Sequence, residues 1–467
     1  LPHELTEVKV KDMDRDYNLI DVYLNAFPKS REFYGRALNI FPSGVTHDSR
    51  FLKPYPIYVT HASGSKKWDE DGNEYIDYWA GHGALLLGHC HPDMVQAVSD
   101  QLRKGTHLGA CHRLEVEWGE LVLDLIPSAQ KVRFVSSGTE ATMMALRLAR
   151  TYTGRNKVIK FAGHFHGWND PLIIGANPPY DVSPPGIPRG FLENTIICPP
   201  NDIEAVERVI SEDGDVACVI LEPTGASFGI IPTGGDFLKA LRDLTRRYGV
   251  LLIFDEVITG FRVSPGGAQE YYDVLPDLTA LAKILAGGLP GGALTGRTEI
   301  MELLEIKDDE GWKLRRKMYH PGTYNANPLS AAAGIATLKI VKTGEPCRRA
   351  NELAAKLRDG MNEVIDSHGL RNWCVYGEFS TFKYLLNHDC DLRGRCDYGA
   401  CKLDYRKLKG ANPPDLSQAL RCAMLLNGVD APAPGGMTTA AHTEEDIERT
   451  CEAFDRAIGM LKRSGLI

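Results

Sequence analysis

The sequence predicts an α/β fold in which a mostly parallel sheet is covered by helices on both faces, giving three αβα layers, with a smaller α+β domain beside it. Between about residues 93 and 335, short apolar runs alternate with helical patterns, as in repeated strand–helix–strand units. Two of those runs, VACVIL (216–221) and LLIF (251–254), lack polar alternation, which marks strands buried on both faces. The 467 residues also exceed what one hydrophobic core ordinarily serves. The chain accordingly divides into an N-terminal arm and small-domain segment (1–65), a large domain (66–335) and a C-terminal small domain (336–467).

Composition narrows the function classes. A hydrophobic share of 43% and a charged share of 24% are ordinary for a globular protein. The net charge of −8 argues against nucleic acid or an anionic membrane as partner, because either would repel it. No apolar run reaches the length of a membrane span. The opening residues, LPHELTEVKVKDMDRDY, are mixed in charge and unlike a secretory or transit leader. Eleven cysteines without a framework fit a reducing compartment, so a cytoplasmic enzyme of small molecules is expected.

In chain order, the apolar spacing from Asp21 to Leu38 predicts a helix, stopped by Phe41-Pro42-Ser43-Gly44. Asp71-Gly72-Asn73 marks a hairpin turn between two short strands over 66–77. The stretches Gly81-His82-Gly83 and Gly88-His89-Cys90-His91-Pro92 offer zinc ligands, but no second ligand pair stands at a matching spacing, and no metal is expected. Pro92 should open a helix. Strands are expected at 132–136, 157–161, 195–198, 216–221, 250–254 and 293–296. The Pro- and Gly-rich 175–190 should be an irregular loop. Beyond residue 336, helices at 347–368 and 415–427 should surround strands near 373–387. Cys390, Cys396 and Cys401 fall in a polar stretch (388–412) read as a surface insertion, since their spacing lacks the short pairs of structural zinc sites.

The chemistry starts at LLIFDE (251–256). A buried strand ending in Asp255 needs a cationic partner, and the carboxyl edge of an open α/β sheet is where ligands sit. Lys283 closes the next apolar stretch. It is followed by Ala286-Gly287-Gly288, where a bulky ligand could approach the backbone. An acid for a pyridinium nitrogen and an amine for an aldehyde are what pyridoxal 5'-phosphate requires of a protein. A phosphate cup is offered by Ser137, Gly138 and Thr139, where a β-rich run meets a helix. Each has an ordinary alternative: a structural acid, a surface lysine, a capping box in SSGTE. Glu222 repeats the strand-then-acid pattern.

Together with GVTHDSR (44–50), FVSSGTEATMMALRLARTYTGRNKVIKFAGHFHGWND (134–170), FDEVITGFR (254–262), LAKILAGGLPGGALTGR (281–297) and HPGTYNANPLSAAAG (320–334), these residues resemble class III, fold type I, pyridoxal-phosphate-dependent aminotransferases over nearly the whole chain. The resemblance implies a seven-stranded sheet with one antiparallel member. It implies Lys283 as the Schiff-base lysine and Asp255 at the ring nitrogen. Ser137, Gly138 and Thr139 would hold the phosphate, joined by Thr323 from the other subunit of a homodimer with shared active sites. Phe165 and Val257 would sandwich the ring, with His166 beside it and Glu222 in support. Arg50 would grip the substrate carboxylate, and His82 would lie near the substrate.

Within the class, the phrases are closest to glutamate-1-semialdehyde aminomutases and D-phenylglycine aminotransferases. The aminomutases carry a glutamate just before AHTEEDI, where this chain has Ala433-Pro434-Gly435-Gly436. They also carry an asparagine in the region of Ala226-Ser227. These departures favour transfer between an amino donor, aromatic or otherwise unusual (D- or β-), and a keto-acid acceptor. Glutamate-1-semialdehyde 2,1-aminomutase and an amino-acid racemase are the alternatives on the same scaffold.

Overall fold

The computed structural model describes residues 17–386, 404–410 and 412–467. Its largest sheet has seven strands, in the order Lys131–Val135, Gly292–Gly296, Leu278–Ala282, Leu251–Asp255, Val216–Leu221, Lys157–Phe161 and Thr195–Cys198. Gly292–Gly296 runs antiparallel to both neighbours, and the other six strands are parallel to one another. The expected sheet with one antiparallel member is therefore present. The strand expected at 250–254 spans Leu251–Asp255, which puts the acid itself in the ladder. Leu278–Ala282 was absent from the expected strands. Its LTALA has the same unalternated apolarity as its neighbours, and that was the signal.

Both faces of the sheet are buried, and the alternation of side chains shows which face is which. Cys218, Ile220, Leu251 and Ile253 pack against Ala141, Met144, Ala145 and Leu148 of the Gly138–Thr153 helix. Val219, Leu221, Leu252 and Phe254 pack against Val206, Ile210, Leu238, Leu241 and Leu244 of the Ile203–Glu212 and Gly235–Tyr248 helices. A strand gripped from two sides in this way must read as continuously apolar.

Two smaller sheets flank this core. One joins Val59–Ser63, Lys66–Asp69 and Glu74–Asp77 to Val429–Asp430, and the hairpin at 71–73 falls within it. The other is antiparallel, in the order Cys374–Tyr376, Thr381–Leu385, Gly435–Met437. The helix expected over 21–38 is two, Leu19–Ala26 and Pro28–Ala37, because Pro28 holds the residue before it, Phe27, out of helical geometry (φ −129°, ψ 59°). The Pro92–Leu102 helix begins at its proline.

The helices expected near 347–368 and 415–427 span Glu345–Ser367 and Pro414–Leu426. The last helix, Glu444–Arg463, was not foreseen, although Thr443 and Asp446 form a reciprocal capping box that the sequence displays. Cys390, Cys396 and Cys401 lie outside the described residues. Among the described residues no helix is long and apolar enough to cross a membrane.

Candidate active site at the carboxyl edge of the sheet

Five of the parallel strands end on one rim, at Val135, Phe161, Leu221, Asp255 and Ala282, and the chemistry-bearing residues follow directly. Asp255 is the last residue of its strand and nearly enclosed. Its Oδ2 lies 2.7 Å from His166 Nδ1, and its Oδ1 accepts from Val257 N at 3.1 Å. A carboxylate has about four acceptor sites, so room remains for one more donor. His166 Nε2 is buried without a hydrogen-bond partner.

Glu222 is 5% exposed and is consumed by backbone. Its Oε1 accepts from Phe165 N (2.9 Å) and Ser227 N (2.8 Å), and its Oε2 from Phe228 N (3.2 Å). Burial raises its pKa. The carboxylate thus ties the 164–166 loop to a turn at 226–229, where Ser227 (φ 49°) and Phe228 (φ 56°) are left-handed. Phe165 itself is 47% exposed, an aromatic face held rigidly at its backbone and open on its ring.

At the first strand end, SSGTE caps the Gly138–Thr153 helix. Ser137 Oγ accepts from Glu140 N at 3.2 Å, and Glu140 Oε2 accepts from Ser136 N at 2.7 Å. The cap leaves the first helical N–H groups, those of Gly138 and Thr139, without a helical carbonyl ahead of them, as at any helix start. Gly138 must be glycine: a Cβ there would lie 2.8 Å from Val257 Cγ2. Thr139 is packed against Gly167 just as closely. The helix start, Val257 and the 164–167 loop therefore pack closely together.

Lys283 leaves its strand with φ 55°, a left-handed conformation that is costly for lysine. Burial lowers its pKa; Asp255 and Glu222 oppose the shift, and Arg262 adds to it. Among the described residues its amine makes no ion pair. Gly287 and Gly288 correct an expectation. A Cβ on them would strike Thr337 Oγ1 and the Ala333 carbonyl (2.7 and 2.9 Å) or Leu85 (2.5 Å), so these glycines serve protein packing and not the approach of a ligand.

Across from the rim, residues 80–83 form a left-handed turn with φ 46°, 59°, 57° and 85°. It carries His82, whose ring stacks on His47 (4.8 Å) and meets Trp79 edge-on (5.0 Å). Burial, with His47 and the cations of Arg50 and Lys283, pushes its pKa down to about 4, so these four side chains share one electrostatic neighbourhood. Arg50 is exposed and donates to Thr46 Oγ1 at 2.9 Å.

Sequence reasoning missed Arg262, which lies wholly inside. It donates to Gly83 O (2.8 Å), Ser380 Oγ (3.1 Å) and Thr438 O (3.2 Å). It missed Met437 too, whose Sδ stands 3.0 Å from where a Gly83 Cβ would be, with Lys283 Cδ at 3.9 Å. Thr323 is not brought to this site within one chain. It is exposed, and its carbonyl lies 2.7 Å from His107 Nε2.

The geometry offers an anion seat, a buried carboxylate with spare acceptor capacity, an open aromatic face and an unpaired amine of lowered basicity. Residues 49–381 match the family model for class-III aminotransferases. The glutamate-1-semialdehyde 2,1-aminomutase of Natranaerobius thermophilus is 40% identical over 404 residues, 85% of this chain and 89% of that protein. Among solved structures, an omega-transaminase from Sphaerobacter thermophilus superposes with a TM-score of 0.81 at 32% identity, covering 93% of this chain and 98% of that one. A glutamate-1-semialdehyde aminomutase from Pseudomonas aeruginosa in complex with PMP gives 0.83 at 25%, covering 95% and 97%. The chain belongs to the class III aminotransferases. It is a pyridoxal 5'-phosphate-dependent enzyme acting on small molecules.

Proposed function

We propose that the enzyme transfers an amino group between an amino acid, whose carboxylate meets Arg50, and a keto acid. The observation that carries this reading is Met437, which borders Gly83 together with Lys283 Cδ. Phe228, Met437 and Ile258 pack in one apolar cluster with Phe379 and Tyr272, and the run 433–436 that leads into Met437 has no carboxylate. Such a wall suits the ring or methylene part of an intermolecular substrate. The 433–436 run offers no acid to retain a diamino species between two half-reactions.

Bound pyridoxal 5'-phosphate would supply an electron sink for the carbanion left when the substrate C–H bond breaks. Asp255 would keep a proton on the ring nitrogen, since an adjacent negative charge favours the protonated form, and His166 orients that carboxylate. The Gly138 and Thr139 N–H groups with the Ser137 and Thr139 hydroxyls would seat the phosphate. Phe165 and Val257 would close over the two ring faces. Lys283, freed by the incoming amine, would move the proton, and its lowered basicity suits it to act as a base near neutrality.

Thr323 would complete the phosphate seat of a partner subunit. In support, Ile306, Leu314, Tyr319 and Tyr324 are 82%, 80%, 70% and 60% exposed, more apolar surface in one region than a lone chain comfortably leaves in water. Mixing K283A with T323A tests the shared site. Hybrid dimers should contain one intact site and recover activity that neither parent shows.

The experiment for the main reading incubates holoenzyme with D-, L- and β-amino acids and follows amination of the cofactor by its absorbance, then its return with keto acids. Conversion of glutamate-1-semialdehyde to 5-aminolevulinate, with no half-reaction from the panel, would establish the second reading. That reading is favoured by the aminomutase relatives of about 40% identity.

A further inference from the structure

Lys383 is anomalous. It is 5% exposed, yet among the described residues its amine has neither a hydrogen-bond nor an ion-pair partner. Two nearby buried lysines behave as expected: Lys160 donates to Leu172 O and to Ile174 O (2.8 Å), and Lys409 donates to Gly163 O (2.8 Å) and Ala176 O (2.7 Å). A buried ammonium left unpaired is costly, so its retention asks for an occupant.

The strand register shows which way it faces. Lys383 lies opposite Gly435, and Thr381 opposite Met437, so Lys383 and Met437 share one face of the three-stranded sheet. Met437 on that face reaches the space beside Lys283 and Gly83. On the same face, Tyr376 pairs with Lys383, and its hydroxyl donates to Ile230 O, while Leu385 packs on Ala226 and Ile231. The neighbours of Lys383 thus reach both the Gly83 position that Lys283 Cδ borders, through Met437, and the turn that carries Ser227. The opposite face belongs to the small-domain core, where Phe382 meets Tyr78. Gly435 leaves no side chain beside Lys383.

We propose that Lys383 receives a second carboxylate of the substrate, so that the enzyme prefers dicarboxylic to monocarboxylic amino or keto acids. This rests on the transamination reading and assigns that reaction's substrate class. Arg50 would hold the carboxylate beside the reacting carbon, the apolar wall would line the methylenes, and Lys383 would end the pocket. Glu222 is committed to three backbone N–H groups, and no hydrogen bond or ion pair joins it to Lys383 among the described residues. Burial lowers the pKa of Lys383 to about 8, with Lys409 adding to the shift and Glu222 opposing it, so the ammonium form prevails at pH 7.

The test titrates holoenzyme calorimetrically at pH 7 with glutarate and, separately, butyrate, neither of which can react. Wild type should bind glutarate at least roughly tenfold more tightly, the worth of one charge-assisted contact. In K383M and in K383Q that ratio should fall toward one. In wild type it should fade above pH 8 as the amine loses its proton, with Glu222 and Lys409 the charged groups acting on it. The K383M chain should melt no lower than wild type, because removing an unpaired buried charge is neutral or stabilising. Equal binding of the two acids by wild type, or an unchanged ratio in both variants, overturns the proposal. The outcome does not depend on turnover: a glutarate preference that needs Lys383, in an enzyme inert to every amino donor, would sink the transamination reading alone.

Discussion

The two walls of the site are built by different means. The rim wall is made of strand ends: Asp255 sits in the ladder, Glu222 and Lys283 one step beyond it, and the 137–139 seat where a strand passes into a helix. The opposite wall comes from segments far apart in sequence, a left-handed turn at 80–83 and the strands at 381–385 and 435–437, tied by the one buried guanidinium of Arg262. On the rim, the hydrogen bonding is spread over several groups, from neighbours in the chain to the 89 residues between Asp255 and His166. Across from it, one side chain spans gaps of more than a hundred residues. The rim should therefore fail chemically when a single group is changed, and the far wall should fail mechanically.

The sharpest test of that contrast is Lys283→Ala. It should lower turnover by at least about 10⁴-fold, since attachment and proton transfer both disappear. The melting temperature should hold, because an amine without an ion pair among the described residues contributes little to folding. Asp255→Asn comes next. It keeps the shape and removes the charge, so a loss of about 10²–10³-fold in kcat is expected, as for other charges aimed at a developing carbanion system. A fall in stability as large as the fall in rate would mean that the rim is structural after all.

Arg262→Met probes the far wall. It leaves two carbonyls and a serine hydroxyl without their donor, and about 3 kcal/mol of stability should be lost in denaturant titration. It also removes a cation that holds down the basicity of Lys283. The pKa of that amine should rise, and because a base must be unprotonated to act, the acid limb of the rate profile should move to higher pH. A stability loss with an unmoved profile would make Arg262 a strut alone.

The difference between the walls also explains what the sequence could convey. Asp255, Glu222 and Lys283 were visible because a strand buried on both faces is an uninterrupted apolar run, and a charge ending it stands out. SSGTE was visible for a similar local reason. Arg262 was in plain view within FDEVITGFR but reads as an ordinary surface cation, since nothing local says that its partners are residues 83, 380 and 438. Met437 and Lys383 share a face only through strand register, and register between distant strands is not written in either. The turn at 80–83 announces itself through Gly81 and Gly83, but the left-handed backbone of Ala80 and His82 is imposed by the surroundings. Glu256, beside Asp255, shows the limit in reverse. It is equally buried, but its oxygens accept from Thr259 Oγ1, Ala268 N, and Gln269 N and Nε2, so it is an anchor and not a reactive group.

The smallest expected effect concerns His82. Its folded pKa is about 4, below the ordinary value near 6.5, because burial and three neighbouring basic side chains disfavour its charged form. It should stay neutral from pH 5 to 8, and His82→Asn should leave the shape of the kcat/KM profile in that range unchanged even if the height drops. For stability the sign is fixed by proton uptake. Above pH 6.5 neither folded nor unfolded chain binds this proton; as pH falls from 6.5 toward 4, only the unfolded chain does, so stability declines through that window. His442, also held near 4 by burial, contributes in the same sense. His82→Asn should therefore flatten the decline between pH 6.5 and 4 only in part, as measured by denaturant titration. A slope unchanged by the substitution would mean that His82 is open enough to take up its proton in the folded protein, and the far wall would then be looser than its hydrogen bonds suggest.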